Sequence, residues 1–291
     1  MGQGINRAGA FASAIAALLF GLGLPANAAA PKPKVEVGPG VRSASVLVVD
    51  ANNGQLIFEH AAGVVTPIAS VTKLMTALVV LDALQPLDEV IKITADDRWK
   101  GKGAFSHLPN GAKLTRGDLL RLALMASENL AARTLARNYP GGITAFVHTM
   151  NVKAKALGMT KTHFDDPSGL SSLNVSTARD LAKLVNAASR QSVISDFSTL
   201  PSYEVRLGKR MFMYRNTNLL IGKADWTIHV QKTGFTNDAG QCLVMEAVID
   251  ERPVVMVFLN SFGKLTRTAD ARRIRKWMEA QSAAPSVASA K

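Results

Sequence analysis

The 291-residue chain has a single cysteine, Cys242, so no intramolecular disulfide can staple it and its stability must come from a packed core. Cys242 opens the apolar run Cys-Leu-Val-Met and reads as an inert, buried thiol. Histidine is also scarce. His60, His107, His148, His163 and His229 are scattered, no two of them form a His-x-x-x-His pair, and His163-Phe-Asp165 falls in a predicted loop. This pattern assigns no metal site and no cofactor. Aromatic residues make up 6% of the chain and do not interleave with basic runs, so nucleic acid is not an expected partner. Acidic residues are outnumbered 22 to 34 by Lys and Arg, giving a formal charge of +12. Such a surface favours anionic partners, wall polymer or phospholipid head groups, and serves solubility equally well. After Leu24 no hydrophobic run is long enough to span a bilayer.

The first 28 residues carry an export pattern. One cation, Arg7, precedes the Ala/Leu/Phe/Gly stretch Ala8 to Leu24, and Pro25-Ala-Asn-Ala28 supplies small residues at an Ala-x-Ala cleavage site. Cleavage near Ala28 removes only Arg7, so the charge falls from +12 to +11. Residues 29–41, with Pro31, Pro33 and Pro39, are expected to form an extended leader, 42–280 one catalytic domain, and 281–291 a disordered tail.

Two strand patterns, Ser45 to Asp50 and Gln55 to His60, flank Ala51-Asn-Asn-Gly54 and predict a hairpin. Helical spacing follows Ser70 and stops before Pro86, and Thr115-x-x-Asp118 opens a second helix ending near Ser127. Asn129 to Asn138, Ile143 to Leu157 and a segment capped by Ser176 or Thr177 complete a helical centre. Strand patterns return at Tyr203 to Leu207, Met211 to Tyr214, Trp226 to Lys232, Cys242 to Ile249 and Val254 to Leu259. An amphipathic helix at Thr268 to Glu279 closes the series. The expectation is an α+β fold: an antiparallel sheet from both ends of the sequence (42–69 and 203–280), flanked by helices, with a helical lobe (70–202) inserted between.

Three short strings carry the chemistry: Ser70-Val-Thr-Lys73, Ser127-Glu-Asn129 and Lys232-Thr-Gly234. Chance alone gives a chain this long roughly one Ser-x-x-Lys and about one Ser-x-Asn, whereas Lys-Thr-Gly is expected in fewer than about one chain in ten. The order of all three is what makes them informative. Ser70 is the candidate nucleophile, and Lys73, three residues on and on the same helical face, is its candidate base. A lysine works as a base only when burial or another cation lowers its pKa, and Lys232 is the expected second cation. Ser127 is assigned as proton relay to the leaving amine, and Asn129 as a binder of substrate backbone. Lys232 and Thr233 suit a substrate carboxylate, and Gly234 admits a peptide to the strand edge. The backbone N–H groups of Ser70 and Phe235 are the expected oxyanion hole. Glu128 is given no chemistry.

On these strings, and on Pro67 to Ala77, Ala123 to Ala132, Asn174 to Leu181 and Lys232 to Cys242, the chain resembles the low-molecular-mass penicillin-binding proteins over roughly Ser43 to Met278. Within them it most resembles the D-alanyl-D-alanine endopeptidase branch, the penicillin-binding protein 7 type. The resemblance implies a periplasmic serine peptidase that acts on peptidoglycan stem peptides at D-alanyl-to-diaminopimelyl cross-links. It also implies acylation by β-lactam antibiotics, and at most a loose association with membrane or wall. D-Ala-D-Ala carboxypeptidase activity is the alternative. A class A β-lactamase shares the strings, but the only glutamate between Asn129 and Lys232 is Glu204, in a strand-like setting. A non-catalytic wall-binding protein would have no need of Ser70, Lys73, Ser127 and Lys232 together.

Overall fold

A computed structural model describes Met1 and residues 38–101 and 106–283 of the chain. The export signal, most of the leader (29–37) and the last eight residues of the expected tail lie outside the described residues.

The main sheet has five antiparallel strands in the order β2-β1-β11-β10-β9: β1 (Ser43–Asp50), β2 (Leu56–His60), β9 (Thr227–Thr236), β10 (Gly240–Ile249) and β11 (Arg252–Ser261). The first strand pairs with the last, Ser43 opposite Ser261 and Asp50 opposite Val254, so the two ends of the sequence meet at the sheet centre. The predicted β1–β2 hairpin turns on Asp50, whose carboxylate accepts from Asn52 N at 2.8 Å, Asn53 N at 3.3 Å and the Arg252 guanidinium at 2.5 Å.

Both faces of this sheet are covered, which explains why β10 and β11 read as unbroken apolar runs rather than as alternation. Val46, Val48, Leu243, Met245, Val254, Met256 and Phe258 face Ala271, Ile274 and Met278 of the last helix, α7 (Thr266–Ser282). Leu47, Val244, Val255, Val257 and Leu259 point the other way, into the larger core under helix α5 (Ala178–Ser189). The remaining long helices belong to that larger core: α1 (Lys73–Asp82), α2 (Arg116–Met125), α3 (Asn129–Arg137) and α4 (Gly142–Ala156). None of the described helices is long and apolar enough to cross a membrane.

Three features depart from the sequence reading. Helix α6 (Ser192–Thr199) was not anticipated, because its eight residues, Ser-Val-Ile-Ser-Asp-Phe-Ser-Thr, are mostly poor helix formers. Strands β7 (Ser202–Leu207) and β8 (Arg210–Arg215) form a separate hairpin rather than joining the main sheet. Four short strands were also missed: β3 (Thr66–Pro67) pairs with β6 (Val175–Ser176), and β4 (Val90–Lys92) with β5 (Lys113–Thr115). In addition, α7 runs to Ser282, two residues into the segment expected to be a tail.

Helix α7 is tied to β1 by Asp270. This fully buried carboxylate accepts from Arg42 N at 3.0 Å and Ser43 N at 2.7 Å, from the Ser43 hydroxyl, and from Arg273 at 2.5 Å. Asp270→Ala strands these donors in a dry interface and is expected to cost about 3–5 kcal/mol. Urea unfolding measures it, and an unchanged midpoint would remove the clasp from the account.

Candidate active site

Ser70 sits in a 3-10 turn, Ala69–Thr72, that runs straight into α1. The residue before it, Ala69, is held at φ +46°, the left-handed region, and such strain persists only where the surroundings impose it. Two glycines impose it here. Gly234 on β9 lies so close that a Cβ there would stand 2.8 Å from Ile68 O and 3.2 Å from Ser70 N, while one on Gly169 would stand 1.9 Å from Ala69 O. The serine turn is thus pressed between the sheet edge and the loop 165–171.

Lys73 is the first residue of α1 and is completely buried. Its Nζ donates at 2.7 Å to each of three acceptors: Ser70 Oγ, Asn129 Oδ1 and Ser168 O. Burial pushes its pKa from 10.5 down to about 7, with the Asp166 and Glu128 carboxylates pulling the other way. An ammonium fills all three acceptors. The neutral amine keeps two N–H bonds, to Asn129 and Ser168, and turns a lone pair toward the Ser70 hydroxyl, the arrangement a general base requires.

Lys232 is also fully buried, donating to Thr233 O at 2.9 Å. Its pKa is driven well below the ordinary lysine value, first by burial and then by the positive charges of Lys73 and Arg267. Of the two causes expected from the sequence, burial or a second cation, burial is the main one at Lys73, and the repulsion is felt at Lys232. Thr233 shares a 2.6 Å hydrogen bond with Thr217 Oγ1, and Gly234 O accepts from the Arg267 guanidinium at 2.6 Å. Phe235, next along β9, turns its ring to solvent. Asn129 begins α3, and with Oδ1 spent on Lys73 its amide nitrogen is left to face a ligand. Ser127, half-buried at φ +60° in the turn between α2 and α3, makes no side-chain hydrogen bond to any described residue. Its hydroxyl is near the other strings in sequence only to this extent: the turn that carries it leads directly into Asn129.

The family model described as D-alanyl-D-alanine carboxypeptidase matches residues 30–263. The chain belongs to this peptidase family. It is 48% identical over 258 residues to a D-alanyl-D-alanine endopeptidase of Pseudomonas aeruginosa, covering 87% of this chain and 83% of the relative. Its fold is similar to that of the Streptomyces K15 DD-transpeptidase, with a TM-score of 0.78 at 28% identity over 84% of this chain and 99% of that one. It is also similar to penicillin-binding protein D2 of Listeria monocytogenes, solved in its cefotaxime-bound form, with a TM-score of 0.72 at 30% identity over 82% and 96% of the two chains.

Several residues of this peptidase's site were not found from the sequence. Glu128, given no chemistry there, is buried, caps α3 by accepting from Leu130 N at 3.2 Å, and bears electrostatically on Lys73. The N-cap of α3 is therefore Glu128. Asp166 is the hub of the loop behind Lys73: its carboxylate takes the N–H groups of Ser168, Gly169 and Ser171 at 2.6, 3.0 and 2.8 Å, and this fixes Ser168 O on Lys73. Asn174 ties the loop to the serine turn, donating to Thr72 Oγ1 at 3.0 Å and to Asp166 O at 2.8 Å. Asp166-Pro-Ser-Gly169 has Asp, Pro and Gly in turn positions. Nothing in the spacing said that its carbonyl would reach a lysine 95 residues away.

Proposed function

We propose that this peptidase is a D-alanyl-D-alanine endopeptidase that opens D-Ala-to-diaminopimelate cross-links of peptidoglycan through an acyl-enzyme on Ser70. The observation that carries the reading is Lys73, buried, near-neutral at pH 7 and 2.7 Å from the Ser70 hydroxyl. Similarity over 87% of the chain to a relative named as an endopeptidase supports the choice of substrate.

In this mechanism neutral Lys73 takes the hydroxyl proton as Ser70 Oγ attacks the D-alanyl carbonyl. The carbonyl electrons move onto oxygen and are met by the N–H groups of Ser70 and Phe235, a pairing supported by the close seat of Gly234 on Ser70 N. On collapse of the intermediate, the proton passes from Lys73 through the Ser127 hydroxyl to the leaving amine. Water then repeats the sequence on the ester and releases the stem peptide. Asn129 Nδ2 and the β9 edge hold the peptide, and Lys232 and Thr233 hold its carboxylate. The periplasm, reached through the export signal, is where this substrate lies.

β-Lactams acylate the same serine in this reading. Rapid release of such an adduct, as in a class A β-lactamase, uses a carboxylate free to activate water. Glu204 is an exposed residue of β7, and both Asp166 oxygens are committed to its loop. A penicilloyl adduct is therefore expected to persist, and intact-mass measurement will find it still on the protein long after free drug is removed.

The functional test follows purified mature protein, with Ser70→Ala as control, acting on cross-linked muropeptide dimers mixed with uncross-linked pentapeptides, read by mass spectrometry. Dimers become monomers with wild type alone. Loss of terminal D-alanine without dimer cleavage would make the enzyme a carboxypeptidase, and no change in either substrate would overturn the catalytic reading.

A further inference from the structure

Among the described residues seven arginines, Arg116, Arg121, Arg137, Arg179, Arg252, Arg273 and Arg275, each hold a carboxylate within 4 Å. Arg133 is not among them, and it stands beside the candidate site. It is half-buried on α3, four residues and one turn beyond Asn129, on the same helical face. Its Nε donates to Asp97 O at 2.8 Å, and its guanidinium lies 5.3 Å from the centre of the Trp99 ring, which fixes its plane. Its two terminal nitrogens donate to no described residue. The carboxylate that shares this cavity, Asp97, is fully buried and spent on Arg137 at 2.6 Å and on its own turn at Thr94 N, 2.7 Å. Arg98 beside it bonds only to Asn110 Oδ1, at 2.9 Å.

These two cations border a cavity of about 70 Å³ whose other walls include Trp99, Asn129, Leu130 and Leu170. Leu170 belongs to the loop that holds Lys73, and Asn129 bonds Lys73 directly, so the cavity shares two walls with the reaction centre. It has room for a carboxylate. A planar, stacked guanidinium with free terminal nitrogens is matched in shape to a carboxylate. One helical turn is about 5.4 Å, so an anion there lies one to two peptide residues from a group held on Asn129.

We infer that Arg133, assisted by Arg98 and Trp99, forms a subsite for a second free carboxylate of the substrate peptide, distinct from the one placed on Lys232 and Thr233, and that this subsite favours peptides carrying that charge. The inference rests on the proposed endopeptidase reading and adds a specificity residue to it.

The test compares two muropeptide dimers, one with the free side-chain carboxylate of the diaminopimelate residue that precedes the donor D-alanine and one with that carboxylate amidated, on wild type, Arg133→Ala and Arg133→Lys. Wild type is expected to favour the free acid about tenfold in kcat/KM, mostly through KM. Arg133→Ala loses that preference, and Arg133→Lys, which keeps charge without the planar fork, recovers part of it. Labelling by benzylpenicillin, read on every variant, reports whether the Ser70 centre is assembled. Equal cleavage of the two dimers by wild type, or an Arg133→Ala loss that falls equally on both, would overturn the subsite and leave the endopeptidase reading standing. Wild type that labels with penicillin but cleaves neither dimer would overturn both.

Discussion

Lys73→Met will acylate with penicillin roughly 10³–10⁴-fold more slowly than wild type, the upper range for loss of a positioned general base. Methionine matches the lysine stem in length and keeps α1 packed, so the loss reports the amine and not the helix. The amine needs to be neutral to accept the Ser70 proton, and burial sets its pKa at about 7. In wild type the acylation rate therefore climbs close to tenfold per pH unit below 7 and levels off above it. The variant's residual rate shows no such limb. A wild-type profile still rising steeply at pH 9 would show that Lys73 stays charged and would remove it as the base.

The same proton appears in stability. Below pH 7 both folded and unfolded chains carry it, and the full cost of burying the charge falls on the fold. Between about pH 7 and 10.5 only the unfolded chain binds it, so that cost shrinks as pH rises. Lys73→Met never pays it. The stability difference between variant and wild type is therefore expected to move steadily in favour of wild type from pH 7 to 10, measured by urea midpoints across that range.

Gly169→Ala is the second large effect, although Gly169 touches no substrate in the proposed mechanism. Its φ of +82° is unfavourable for any side chain, and the added methyl would stand 1.9 Å from Ala69 O and 2.9 Å from Ser70 N. Backbone strain and overpacking each cost about 1–3 kcal/mol, so a combined loss of about 3 kcal/mol is expected. For a domain of this size that is a fall in Tm of roughly 6–12 °C. Relief of the clash has to shift either the serine turn or the loop that presents Ser168 O to Lys73. A displacement near 1 Å in a reacting group lowers rate by about 10²-fold. Penicillin labelling and a thermal melt on the same sample check both, and a variant that labels at the wild-type rate would show that the turn does not depend on this contact.

The strands and most helices were legible because their signals are local. An Asn-Gly pair between two alternating segments specifies a hairpin, and Thr115-x-x-Asp118 forms the reciprocal cap of α2, with Asp118 N donating to Thr115 Oγ1 at 3.0 Å. Ser70, Lys73, Asn129, Lys232 and Gly234 were legible because three residue types at fixed offsets have few other uses. What supports them was not. Asp166, Asn174, Thr217 and Arg267 act on partners 16 or more residues away, or through backbone atoms, and neither periodicity nor offset encodes such pairings. Helix α6 failed for the opposite reason: its local signal was weak and packing against β9 overrides it. The sequence left burial and a second cation as alternative causes of the Lys73 shift, since depth of burial is a property of the assembled fold.

The pairing of β1 with β11 also bears on when this enzyme comes into being. Ser43 meets Ser261 across 218 residues, and Gly234, which seats the serine turn, follows Ser70 by 164 positions. Contacts so distant along the chain form late and slowly, because the loop they close must be ordered before they stabilise anything. A chain of which only the first two hundred residues have been made carries Ser70, Lys73 and Asn129 without the strand that presses the turn into shape. The serine turn is therefore seated only with the closing strands of the sheet.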